Sequence, residues 1–160
     1  MVNASDHNEH HTLRGATDRP ALLTIRDVIE EMEPLATAEL DDYLHPSVLE
    51  VALDDGLCTA DAARIDIQWT TQADYKFHYT DTEAVNFRWG KHPHADDYFN
   101  VPGLEHYHPP PTASSKLDEV EESCIKQGPE VLVTRAVLKL WRVAYHMDSY
   151  DPLTAGRNPL

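Results

Sequence analysis

Positive charge is what this chain has least of. Lys76, Lys91, Lys116, Lys126 and Lys139 are its only lysines. With the arginines they make 13 basic residues against 28 acidic ones, a formal net charge of -15 over 160 residues. Binding to nucleic acid or a membrane by bulk positive charge is excluded, and only a local basic patch can serve that purpose. Cysteine is also scarce: Cys58 and Cys124 stand alone with no CxxC spacing, which points to reduced structural thiols and away from a redox motif. No apolar run approaches the roughly 20 residues of a membrane span. No Gly-rich phosphate loop, internal repeat or coiled-coil heptad is present. The N-terminus lacks a signal-peptide pattern, so the expected location is cytoplasmic.

What is abundant is acid, spread along the whole chain. Acid excess with few lysines is the composition of halophilic proteins. At molar salt the Debye length is about 3 Å, which screens the self-repulsion. The length fits a single compact domain with apolar content for one core. The expected division is a disordered, histidine-bearing leader over 1–19, a single α+β domain over 20–147 and an irregular tail over 148–160.

Periodicity predicts an α+β fold. Thr24 and Asp27 resemble a capping box ahead of a helix with Ile25, Val28, Ile29 and Met32 on one face, ended by Pro34. A second helical piece is predicted over 36–44. Strands are predicted around 48–53 and 65–69, then a hairpin of 75–79 with 84–89, giving an antiparallel sheet of about four strands. From Gly90 to Ser115 the chain reads as a long histidine-rich loop marked by Pro93, Pro102 and Pro109-Pro110-Pro111. Pro129 and Glu130 open a C-terminal helix that packs Val133, Val137, Leu140 and Ala144 on the sheet. Arg135, Lys139, Arg142 and His146 fall on its other side, and no carboxylate occurs from Val131 to Met147.

The chemistry-bearing residues gather between Tyr75 and His108. Arg88, Lys91, His92 and His94 form a basic cluster with no carboxylate between Ala84 and Ala95. His106 and His108 follow. Histidine titrates near neutrality, so a neutral and a protonated imidazole can take and give protons across a phosphodiester, with a guanidinium holding the phosphate. On this reading His94 and His108 are the acid–base pair and Arg88 the phosphate binder. His92, His106 and His78 support them, and Lys91, Tyr75 and Tyr107 contact the substrate, the tyrosines by stacking on unpaired bases. The same histidines permit a different reading. Residues i and i+2 of an extended segment point the same way, so His92 with His94 and His106 with His108 are candidate zinc ligands. A third reading is an interaction module using the basic helix face.

These residues resemble the TumE family of toxins from toxin–antitoxin systems. The family pattern has an aromatic strand ending in Tyr-x-Tyr-His or similar, then Arg-aromatic-Asp-Asn-x-Pro-His-His, then a Pro-rich turn with closely spaced histidines. The matching residues are Tyr75, Phe77, His78 and Tyr79, then Arg88, Trp89, Pro93 and His94, then Pro102, His106 and His108. Gly90 and Lys91 replace the Asp-Asn pair, and Ala95 replaces the second histidine. The resemblance implies a toxin neutralised by direct binding of a helix-turn-helix antitoxin. The His/Arg cluster adds the expectation of a metal-independent ribonuclease acting on RNA, with no cofactor. The alternative is a non-catalytic metal-binding or regulatory protein.

Overall fold

A computed structural model describes residues 13–93 and 101–154. The chain runs α1 (Arg19–Met32), β1 (Ala36–Leu40), β2 (Leu49–Leu53), β3 (Ala63–Trp69), β4 (Tyr75–Asp81), β5 (Asn86–Lys91), β6 (Glu105–His108), β7 (Glu121–Glu122) and α2 (Glu130–Met147), with a short 3-10 turn over Asp151–Leu153. The strands form one antiparallel meander in chain order. The class is α+β, as the periodicity implies, but the sheet has seven strands instead of about four.

The three added strands lie where sequence patterning is weak. Residues 36–40 have helix-compatible composition, yet they pair with β2 from Ala36↔Leu53 to Leu40↔Leu49. Pairing with a neighbouring strand outweighs the small intrinsic preference of Ala, Glu and Leu for helix. Of these five residues only Ala38 is buried, so the strand carries little hydrophobic alternation to betray it. The expected loop from Gly90 is likewise interrupted. Gly90 and Lys91 complete β5, and Glu105–His108 pairs with it as β6. The histidines of β6 have no aliphatic partners in the sequence to mark a strand.

Helix α1 starts earlier than Thr24. Asp18 is its N-cap, accepting the Ala21 backbone N–H at 3.0 Å, and Pro20 occupies the first turn, where a missing N–H is harmless. The helix stops at Met32, ahead of Pro34, as expected. Its buried carboxylate Glu33 pairs with Arg142 of α2 and so ties the two helices together. Before α1, Arg14 makes a forked ion pair with the buried Asp74 in the β3–β4 turn.

Both helices contribute to one core on one face of the sheet. Leu22, Ile25 and Ile29 of α1 and Val133, Val137, Leu140 and Trp141 of α2 share it with Val51, Ile67, Phe77, Phe87 and Trp89 of the strands. Aromatic contacts dominate: Tyr79 stacks on Phe87 at 4.4 Å and Trp69 on Tyr75 at 5.0 Å, while Phe87 meets Trp89 edge-on. Such rings bury 150–250 Å² each and are the main source of sheet stability. Trp89 also donates its indole N–H to the Leu153 carbonyl, which fastens the 3-10 turn beneath the sheet.

Candidate active site on the polar face of the sheet

Strand alternation sends every second side chain of β4, β5 and β6 to the face opposite the helices. Register decides which of these meet. Asp66 lies across from His78, His78 across from Arg88, and Arg88 across from His108. One row on, Gln68 lies across from Lys76, Lys76 from Gly90, and Gly90 from His106. Directly opposed side chains have Cβ atoms about 4.5–5.5 Å apart. Residues separated by 20 or more positions are thereby drawn into one polar band across four strands.

The band carries both signs. Glu39, Glu50 and Asp66 come from β1, β2 and β3, with Arg64 of β3 paired to Asp66 at 2.9 Å; Lys76, His78, Arg88, His106 and His108 come from β4, β5 and β6. At the boundary lies a cleft of about 290 Å³ lined by Glu50, Asp66, Gln68, Lys76, His78 and Arg88, with Asp41 and Val48 at its rim. A larger cavity of about 790 Å³ lies elsewhere, among Pro109–Pro111 and Asp118, Glu119, Glu121 and Glu122. It has four carboxylates and no cationic side chain in its lining, whereas the smaller cleft sets Lys76 and Arg88 beside its acids.

Each imidazole is oriented by a partner that fixes its tautomer. His78 donates Nε2–H to the Asn86 side-chain oxygen at 2.8 Å. Thr80 Oγ1–H donates to the same oxygen, and the Asn86 amide donates to the Ala84 carbonyl, so the amide can point only one way. Nδ1 of His78 is therefore the lone-pair nitrogen. Burial, with Arg88 and Lys76 close by, lowers the His78 pKa, although the Asn86 bond and Asp66 act in the opposite sense. The ring is held neutral, ready to accept a proton. Lys76 is held down to about 8, chiefly by burial and then by Arg88, far below an ordinary lysine.

On the β6 side the histidines are fully buried. His108 donates Nδ1–H to the Ser114 carbonyl at 2.8 Å, which turns its Nε2 toward Arg88. Arg88 Nη2–H donates to that Nε2 at 3.2 Å and to Ser115 Oγ at 3.4 Å. His106 donates Nδ1–H to the Leu104 carbonyl and His92 to that of Pro93. The three rings run edge to face, His92 to His106 at 4.6 Å and His106 to His108 at 5.0 Å. Gly90 makes room for this row. A Cβ there would come within 3.1 Å of His106 Nε2, a reason for glycine where the family pattern has Asp.

The structure thus brings together Arg88, His78, His108, His106 and His92. It leaves others apart. Tyr75 and Tyr107 lie buried on the helix side of the sheet, in the aromatic core, with no ring face for a base. Lys91 points the same way and donates to the Ala73 carbonyl at 3.1 Å. His94 and Ala95 lie outside the described residues, as do His7, His10 and His11. Among the described residues no group of three or more His, Cys, Asp or Glu side chains is arranged to hold a metal ion. Both cysteines are free thiols. Lys76 is the residue that motif reasoning passed over. Its signal was the alternation of Lys76 and His78 between aromatic neighbours, which only the register turns into a site.

A family model described as Toxin TumE matches residues 25–142. The chain belongs to the TumE toxin family. The match runs from within α1 through the whole meander into α2, so the polar band lies within the family's common fold. As a TumE member, the chain is the toxin component of a toxin–antitoxin pair and has an antitoxin as partner. Among curated proteins and solved structures, none matches. Among the described residues no helix is long and apolar enough to cross a membrane.

Proposed function

We propose that this TumE-family toxin cleaves RNA at the cleft between β3 and β5, without a metal ion. Arg88 grips the scissile phosphate through its planar fork, and His108 and Ser115 hold that fork from behind. His78 Nδ1 takes the proton of the ribose 2′-hydroxyl. The 2′-oxygen forms a bond to phosphorus, and the bond from phosphorus to the 5′-oxygen breaks. Lys76, still protonated below pH 8, gives its proton to the departing oxygen. The products are a 2′,3′-cyclic phosphate and a free 5′-hydroxyl, with atoms and protons balanced.

One observation carries this reading. A neutral imidazole locked on Asn86 faces a guanidinium directly across the β4–β5 ladder, with a half-buried ammonium two residues along the same strand, all lining one cleft. We assign the proton-transfer roles to His78 and Lys76 rather than to the pair His94 and His108: His108 is buried and accepts from Arg88, and His94 lies outside the described residues.

The test is RNA cleavage at high salt in the presence of a chelator. Wild type should cut, Arg88→Ala, His78→Ala and Lys76→Met should not, and a substrate lacking the 2′-hydroxyl should survive. Cleavage of that deoxy substrate, or loss of all cutting on chelation, sinks the metal-free mechanism. His94→Ala in the same series decides whether the residue beyond the described segment is needed as well. Growth arrest on expression, relieved by a neighbouring helix-turn-helix protein, tests the toxin role in cells.

A further inference from the structure

Helix α2 has an outer face that does not suit solvent in so acidic a protein. Its inner face, Val133, Val137, Leu140 and Ala144, is buried against the sheet and α1. The opposite stripe reads Leu132, Arg135, Lys139, Val143 and Met147, at helical spacings of three and four residues. Leu132 and Val143 are each 39% exposed and Met147 64%. Met32, at the end of α1, adds a further exposed apolar side chain at 45%. A depression of about 450 Å³ lies between the helices here, with Leu138 and the stem of Arg142 in its lining.

Charge marks the same surface. The chain carries a net charge of -15, yet no carboxylate lies between Val131 and Met147. Arg142 is neutralised by Glu33. Among the described residues neither Arg135 nor Lys139 forms an ion pair. A helix that only faced water would carry acid here, as the rest of the molecule does. Two unneutralised cations flanked by exposed apolar residues along about four turns form a template for the converse pattern.

We infer that this stripe of α2 is the surface on which the antitoxin lays an acidic amphipathic helix. The partner's aliphatic residues would sit on Leu132, Val143 and Met32. Its carboxylates, one turn apart, would meet Arg135 and Lys139. Nucleic acid is the poorer occupant, since two cations in about four turns are too sparse to track a phosphate backbone and the exposed apolar side chains would gain nothing from it. The stripe lies on the opposite side of the sheet from the Arg88 cleft, so the antitoxin holds the toxin without entering the site.

The experiment measures affinity of the purified toxin for the antitoxin encoded with it, and needs no RNA cleavage. Leu132→Asp combined with Val143→Asp should weaken binding about a hundredfold, because buried apolar anchors carry most interface energy. Arg135→Glu combined with Lys139→Glu should weaken it about tenfold at moderate salt and less at molar salt, where exposed charges are screened. All four residues are solvent-facing, and Lys139→Glu alone serves if a double variant fails to fold. Expressed without antitoxin, the variants should arrest growth as wild type does but resist neutralisation. His78→Ala and Arg88→Ala should bind antitoxin normally. Unchanged antitoxin affinity in the double variants overturns the assignment. So does weakened RNA binding with antitoxin binding intact, which would give the stripe to nucleic acid.

Discussion

The two faces of strands β4 and β5 differ in everything but their backbone. Phe87 and Trp89 face a core of stacked rings, while Arg88, between them in sequence, faces a cleft of titratable groups. The core face is held by area and shape, which tolerate no loss of volume. The polar face is held by directional bonds: Asn86 on His78, Ser114 on His108, His108 on Arg88. A period of two lets stability and chemistry occupy adjacent residues with little interference. It also means that neighbouring substitutions should fail in different ways.

The sharpest way to break that comparison is to truncate both neighbours. Trp89→Ala should cost about 3–5 kcal/mol of stability, read by denaturant unfolding at fixed salt, since it opens a large void and leaves the Leu153 carbonyl with only the weak Cys124 thiol donor. Arg88→Ala should unfold much closer to wild type and instead lower RNA cleavage by about 10²–10³-fold. Equal loss of stability in both would mean that the polar face is a second core.

Acidity should act on the cleft alone. Cleavage should rise with pH through the lowered His78 pKa, below the ordinary histidine value, and fall again near pH 8 as Lys76 loses its proton. Lys76→Arg should lose most of its cleavage at neutral pH, and any residual activity should lack the alkaline fall, because a guanidinium neither gives up its proton nor titrates there. An unaltered alkaline limb in that variant would take Lys76 out of the mechanism.

Folding stability should register the same lysine. Its folded pKa is lowered to about 8 from an ordinary 10.5, so the unfolded chain binds the proton more tightly. The resulting penalty is fully present below pH 8 and fades as pH rises toward 10.5. Lys76→Met should therefore be more stable than wild type at neutral pH, with the gap closing in alkali. At the small end, Asp18→Ala should remove about 1 kcal/mol by uncapping α1, wherever on the sheet one probes.

Sequence reasoning reached α2, the β4–β5 hairpin and the family through patterns that are local. The chemistry of a basic, imidazole-bearing stretch named Arg88 as the phosphate binder and His78 as a supporting residue. Patterning missed β1 because the strand at 36–40 buries only Ala38 and borrows its conformation from β2. It read β6 as loop because a strand of Glu, His, Tyr and His carries no aliphatic signature. Tyr75 and Tyr107 looked like base-stacking residues because aromatic rings suit a core and a binding surface equally, and only burial separates the two.

Composition and spacing by themselves determined the acidic balance, the class, the carboxylate-free helix and the histidines able to do proton chemistry. They could not determine which of those residues meet. Side-chain direction along a strand is local and follows from backbone geometry, but register is a relation between segments, and a slip of one residue would send His78 or Arg88 into the core. Only the folded sheet puts His78 opposite Arg88, Arg88 opposite His108 and Gly90 beneath His106, and so decides that an imidazole, a guanidinium and an ammonium line one cleft.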